Sequence, residues 1–217
     1  MVQDTMNVLE RDLQEVNASG VRMLSMVREG VGLARTALID ADVDAAERAM
    51  LGDAGVDALQ HELEQRILTI IARRQPAGKD LRFLGAMFQS LADIERAGDY
   101  AAHVARAAAE LAAAPPLKKY LDMKRILLVL DEMLERTMQA MADGDADAAR
   151  AALAMDDEID DLYEQIQREL LTYMMADANA INTATKLLAV ARYLERCGDH
   201  IENVNEHVIF WLTGQRI

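Results

Sequence analysis

The chain has little of what builds sheets, disulfide scaffolds or membrane spans. Only one of its 217 residues is cysteine, Cys197, so no intrachain disulfide can form, and a lone thiol agrees with a reducing compartment. Aromatic residues make up 4%, while Ala, Leu, Met, Glu and Asp abound, which excludes a fold of β-branched, aromatic strands. No run of about 18 apolar residues occurs. The opening Met1-Val2-Gln3-Asp4 lacks a basic stretch followed by an apolar one, so neither export nor membrane spanning is expected. The expected place is the cytoplasm, with any membrane contact made through a partner. Positive charge is also scarce: 23 basic residues face 37 acidic ones, a net charge of -14. Such a surface repels phosphate backbones, so nucleic acid is not an expected partner, while cations and basic protein surfaces suit it.

What remains is 52% apolar and patterned for helices. Breaks near Asp40 to Asp44, Gln75 to Gly78, Pro115-Pro116, Asp143 to Asp147 and Asp177 to Asn182 divide the chain into six long segments. Pro115-Pro116 is the strongest break, because the residue before each proline is pushed out of the α region. The two sides of it repeat one another. Asp40, Asp42, Asp44, Asp53 and Asp57 correspond to Asp143, Asp145, Asp147, Asp156 and Asp160 at an offset of 103, and Glu95 and Asp99 to Glu195 and Asp199 at 100. The difference of three residues falls at the turn around Gln75-Pro76-Ala77-Gly78. The expected fold is all-α, with two tandem antiparallel three-helix bundles over residues 1–114 and 115–217; one continuous six-helix bundle is the alternative. Leu84, Met87, Phe88, Leu91, Ile94 and Ala101 share one side of the last helix of the first half. Leu187, Leu188, Ala191, Leu194, Ile201 and Ile209 repeat that stripe.

The repeat is most specific at Glu95-Arg96-Ala97-Gly98-Asp99 and Glu195-Arg196-Cys197-Gly198-Asp199. Each glutamate falls in the apolar stripe or at its margin, and each aspartate follows one turn later, stacking two carboxylates that repel. The rows continue through His103 in the first half and through Glu202, Asn203 and Glu206 in the second. Hard oxygen donors with an occasional imidazole can bind magnesium, calcium, manganese, iron or zinc, and oxygen-rich sets favour the harder ions. Glu95, Asp99, Glu195 and Asp199 are the leading candidate ligands. Asp57 and His61, with Asp160 and Glu164 in the matching places, are weaker ones. The second half is the better equipped.

Other features have structural readings. Gly98 and Gly198 suit a close helix crossing, Arg96 and Arg196 point away from their neighbouring glutamates, and Cys197 is a buried apolar residue. His200 and His207 have no comparable partner in the sequence. Asp40-x-Asp42-x-Asp44 and Asp143-x-Asp145-x-Asp147 imitate a calcium loop, yet Ala45 and Ala148 stand where its glycine belongs and Leu51 and Ala154 where its glutamate belongs, so helix caps are expected there. No phosphate loop, nucleophile elbow or other catalytic constellation is present.

Three stretches carry a resemblance to the PhoU family. They are Ala72-Arg73-Arg74-Gln75-Pro76 with Asp80-Leu81-Arg82, Ile94 through Asp99, and Leu170-Leu171-Thr172-Tyr173-Met174-Met175 leading to Leu194 through Asp199. The resemblance implies two three-helix bundles. It also implies acidic motifs at Glu95, Asp99, Glu195 and Asp199 that hold metal in some members and none in others. An asparagine common beyond the motif is matched by Asn203 and replaced by His103. It further implies a non-enzymatic role, in which the protein holds the phosphate regulon's sensor histidine kinase inactive and restrains the ATPase subunit of the phosphate ABC transporter; a homodimer is expected. Two alternatives stay open: an accessory of another ion transporter, and a di-metal helical-bundle enzyme. The enzyme needs Glu-x-x-His, and the motif helices carry Tyr100, Cys197 and Val204 three residues before their histidines.

Overall fold

Helix follows helix along the chain because each stop is chemically marked. The computed structural model describes residues 2–216, with side chains from Val8 onward. Helix α1 spans Val2–Asp40 and ends at Ala41, whose backbone turns left-handed at φ 55°. Asp42 then caps α2, Val43–Arg74, by accepting the Ala45 N–H at 2.9 Å. Gln75, left-handed at φ 49°, closes α2 with its N–H on the Ile71 carbonyl, and Pro76 prevents any continuation. Helix α3 spans Lys79–Leu111, and the segment holding both adjacent prolines leads to α4, Leu121–Asp143. Gly144 ends α4, and Asp145 caps α5, Ala146–Leu153, accepting the N–H groups of Asp147 and Ala148. The two Asp-x-Asp-x-Asp stretches are therefore capping segments. Helix α6 spans Asp156–Ala176, and after one 3-10 turn α7 spans Ile181–Thr213.

The second bundle differs from expectation in its middle helix, which is split into α5 and α6. Nothing in Leu153-Ala154-Met155 opposes a helix, whereas α2 runs unbroken through Gly52 and Gly55. Tertiary packing makes the break. The Met155 N–H tightens onto the Ala152 carbonyl at 3.1 Å, and the chain restarts at Asp156, which sits with Ile159 against Gly198 of α7.

Helices α1, α2 and α3 pack on one another, as do α4, α5, α6 and α7, and a single hydrophobic core runs through both groups. The longest seam joins α3 to α7. It is antiparallel: Arg82 donates to the Trp211 carbonyl at one end, Cys197 to the Ala97 carbonyl at its middle, and Lys186 to Glu110 at the other end. A second seam joins α1 to α4 through Arg28, which binds Asp131 at 2.8 and 3.1 Å, and through Asn17, which donates to the Met141 carbonyl. Buried Asn205 donates to buried Thr137 and ties α7 to α4. The apolar stripes lie in this core with one correction: Phe88 is exposed, because Leu84, Met87, Leu91 and Ile94 already fill the inward face of α3. Among the described residues no helix is long and apolar enough to cross a membrane.

Candidate functional site

Two clusters of carboxylates form where the middle helices cross the motif helices. In the first bundle Asp53 and Asp57, one turn apart on α2, face Asp99 of α3, with one oxygen of each within 4.8 Å of the others. In the second, Asp156 and Asp160 of α6 face Asp199 of α7 in the same way. Asp57, Asp99, Asp160 and Asp199 are expected members. Asp53 and Asp156 are not: their offset of 103 marks the repeat, but their i, i+4 spacing to Asp57 and Asp160 was also a signal for the site.

The motif glycines belong to the same arrangement. A Cβ on Gly98 would lie 3.5 Å from Asp53 Oδ1, an ordinary contact, while one on Gly198 would lie 2.4 Å from Asp156 Oδ1 and 3.1 Å from Ile159 Cδ1. A side chain at position 198 would therefore displace the carboxylate. Close helix crossing is the right description at Gly198, where an acidic group crosses closely, whereas Gly98 has room for a methyl group.

Like charges gathered in partly dry surroundings resist ionisation. Burial, then Asp99 and Asp57, hold the Asp53 carboxyl above its ordinary range. Burial, then Glu202, Asp160 and Asp199, push Asp156 up to about 7. Burial and Asp199 raise Asp160 and Glu195, and burial and Asp99 raise Glu95. Glu202 is raised by burial and by Glu206. Arg96 contradicts the expectation of facing away from its glutamate, and both arginines turn to the motif aspartate. Arg96 reaches Asp99 at 3.3 Å and Glu95 at 3.7 Å, and Arg196 reaches Asp199 at 2.9 Å, because i and i+3 are neighbours on a helix. They sit at the rim and leave the inner oxygens bare. Asp53 Oδ1, Asp57 Oδ1, Asp156 Oδ1 and Glu195 Oε2 are buried with no hydrogen-bond partner. Converging bare oxygens need protons or a hard cation, and an oxygen-only set fits the latter.

The weaker candidates separate. Glu202 stays beside the second cluster, and its charge acts on Asp156. His61 is exposed and turns its Nδ1 to the Asp57 backbone carbonyl at 2.8 Å, so it leaves the site. Glu164 is 70% exposed and paired with Arg168. His103 packs its ring 5.2 Å from that of Tyr193, with its Nδ1 buried and unpartnered. Asn203 faces the α3–α7 seam, where it donates to Asp93 at 3.3 Å. That aspartate also supplies His200 and His207, which have no comparable partner within their own helix, with one from the other half. They lie 2.9 and 3.3 Å from its two oxygens, and after the cost of burial these contacts bring Asp93 down to about 2. Cys197 is buried as expected, and its thiol is pushed up to about 12 by that burial.

Among known proteins, the PhoU domain model matches the chain twice, over residues 21–108 and 123–208. The chain is 46% identical to a phosphate-specific transport system accessory protein PhoU homolog of Deinococcus radiodurans, across 96% of this chain and 98% of that one. The crystal structure of PhoU from Pseudomonas aeruginosa matches with a TM-score of 0.91 at 34% identity, covering 95% of this chain and 99% of that chain. That of the phosphate transport system regulatory protein PhoU from Streptococcus pneumoniae matches at 0.89 and 26% identity, over 96% and 99%.

Proposed function

The chain belongs to the PhoU family, and from that premise we propose that it serves a phosphate-specific transport system as an accessory protein, acting by docking rather than by catalysis. When phosphate is plentiful it restrains the ATPase subunit of the phosphate ABC transporter and holds the phosphate regulon's sensor histidine kinase inactive. It works in the cytoplasm as a homodimer and meets the membrane through those partners alone. The observation that carries this reading is the likeness over nearly the whole chain, through both repeats, to relatives bearing that accessory name. A helical scaffold with an acidic surface and a continuous core suits a docking body.

The two acidic clusters each hold a hard cation in this reading. Asp53, Asp57, Asp99 and Glu95 serve the first, and Asp156, Asp160, Asp199, Glu195 and Glu202 the second. Their bare, buried oxygens support it. Iron, zinc, manganese, magnesium and calcium are the candidates, with the oxygen-only donor set favouring the harder ions. The cation supplies positive charge that fastens α2 to α3 and α6 to α7. Deleting the gene tests the regulatory role: phosphate-starvation genes switch on in phosphate-rich medium, and unchanged expression contradicts it. Capture of membrane partners on the tagged protein then names the transporter, and recovery of a different ion system would overturn the phosphate assignment.

A further inference from the structure

An acidic protein with 23 basic residues has only five lysines, and three of them, Lys118, Lys119 and Lys124, line one cavity. The cavity measures about 590 Å³ and lies where the C-terminal turns of α1 and α3 meet the segment leading into α4. That size is in the range of small-molecule sites. Its inner wall is apolar: Ala37, Leu38 and Ala108 are buried, and Leu111 continues the surface outward. Its mouth is cationic. Lys118, 8% exposed, is drawn to Glu169, and burial lowers its pKa. Lys119 and Lys124 are exposed and form no ion pair among the described residues. The first turn of α4 borders the same mouth, and Tyr120 provides no side-chain cap for its N–H groups. In a chain of net charge -14, two unpaired ammonium groups over an apolar recess are a local reversal of the protein's character.

We propose that this cavity binds a small amphipathic anion, with a phosphate or carboxylate head between Lys119 and Lys124 and an apolar body against Leu38, Ala108 and Leu111. The body is desolvated by the recess, and the head meets the only lysine cluster of the chain. Neither half of the ligand suffices alone. Since the cavity is bordered by α1 and α3 of the first bundle and by α4 of the second, an occupant touches both bundles at the joint between them.

The test uses the full-length protein and isothermal titration with decyl phosphate below its micelle concentration, with inorganic phosphate and decanol as head-only and body-only probes. Decyl phosphate binds saturably at one site, and each partial probe binds at least ten-fold more weakly. Lys119→Gln with Lys124→Gln, both exposed and safe for folding, lowers affinity at least ten-fold. Ala112→Trp, which fills the recess and leaves the lysines in place, does the same. Vesicles of phosphatidylglycerol locate the source of the head group: capture of the wild type and not of the lysine variant assigns a lipid, and binding of the free amphiphile without vesicle capture assigns a soluble compound. Absent binding, or equal affinity in wild type, the lysine variant and the filled variant, overturns the proposal.

Discussion

The two acidic clusters descend from one repeat unit but are set at different depths. In the first, all three aspartates are half-buried on unbroken helices, and Gly98 leaves Asp53 in ordinary contact distance. In the second, the break between α5 and α6 places Asp156 at a helix start, buried over Gly198, while Asp160 is exposed. One set of residue types thus seats its first aspartate at a shallow or a deep position according to whether a helix is continuous. Burial first, and the neighbouring carboxylates after it, carry Asp156 to about 7.

The most severe way to break this comparison is a methyl group on each motif glycine. Gly198→Ala forces Asp156 and Ile159 to move and lowers stability by about 2 kcal/mol or more in denaturant unfolding. Gly98→Ala has room, and removing a mid-helix glycine raises stability by up to about 1 kcal/mol. Equal losses in both would show that the two clusters do not differ in depth.

Charge removal sharpens the same contrast. Asp156 in the folded chain titrates near 7, against an ordinary value of 3.8, so its penalty begins above about pH 4 and is complete above about pH 7. Asp156→Asn therefore stabilises the chelator-treated protein by about 2 kcal/mol at pH 8 and has little effect at pH 4. Asp53→Asn acts in the same direction and less. Thermal unfolding across that pH range checks both, and a larger gain at Asp53 would reverse the order of the clusters.

The smallest expected effect lies on the seam between the bundles. Asp93 of the first half serves His200, His207 and Asn203 of the second, and its place at offset 100 is taken by Tyr193, so this contact has no mirror image. Its carboxyl is held down to about 2, so the stability it adds is present above about pH 4 and is lost as the pH falls toward 2. Asp93→Asn costs about 1 kcal/mol at pH 7 and flattens the acid limb of the stability profile.

Much of the fold was readable from periodicity and repeat offset, including the helix stops at Asp42, Gln75-Pro76 and Gly144-Asp145, where local chemistry decides. The break at Ala154-Met155 was not, because it follows from packing on Gly198 and not from any helix breaker in the sequence. The motif residues Asp99 and Asp199 were found by their repetition. Asp53 and Asp156 were noticed only as repeat markers, although the spacing that exposed Asp57 and Asp160 applies to them as well. The partners of His200 and His207 come from the antiparallel register of α3 on α7, a relation between segments about 100 residues apart that neither segment specifies alone. The lysine-lined cavity is likewise a product of three elements meeting, though the scarcity of lysine elsewhere is visible in the sequence.

That the paired clusters are cation sites of unequal depth is tested most directly by equilibrium dialysis against manganese, followed by elemental analysis. The proteins are the wild type, Asp53→Asn with Asp99→Asn, and Asp156→Asn with Asp199→Asn. Each variant should lose the share of metal held by its own cluster, and the variant that keeps the second cluster should retain metal at the lower free concentration. Equal metal content in all three proteins at every concentration would contradict the account.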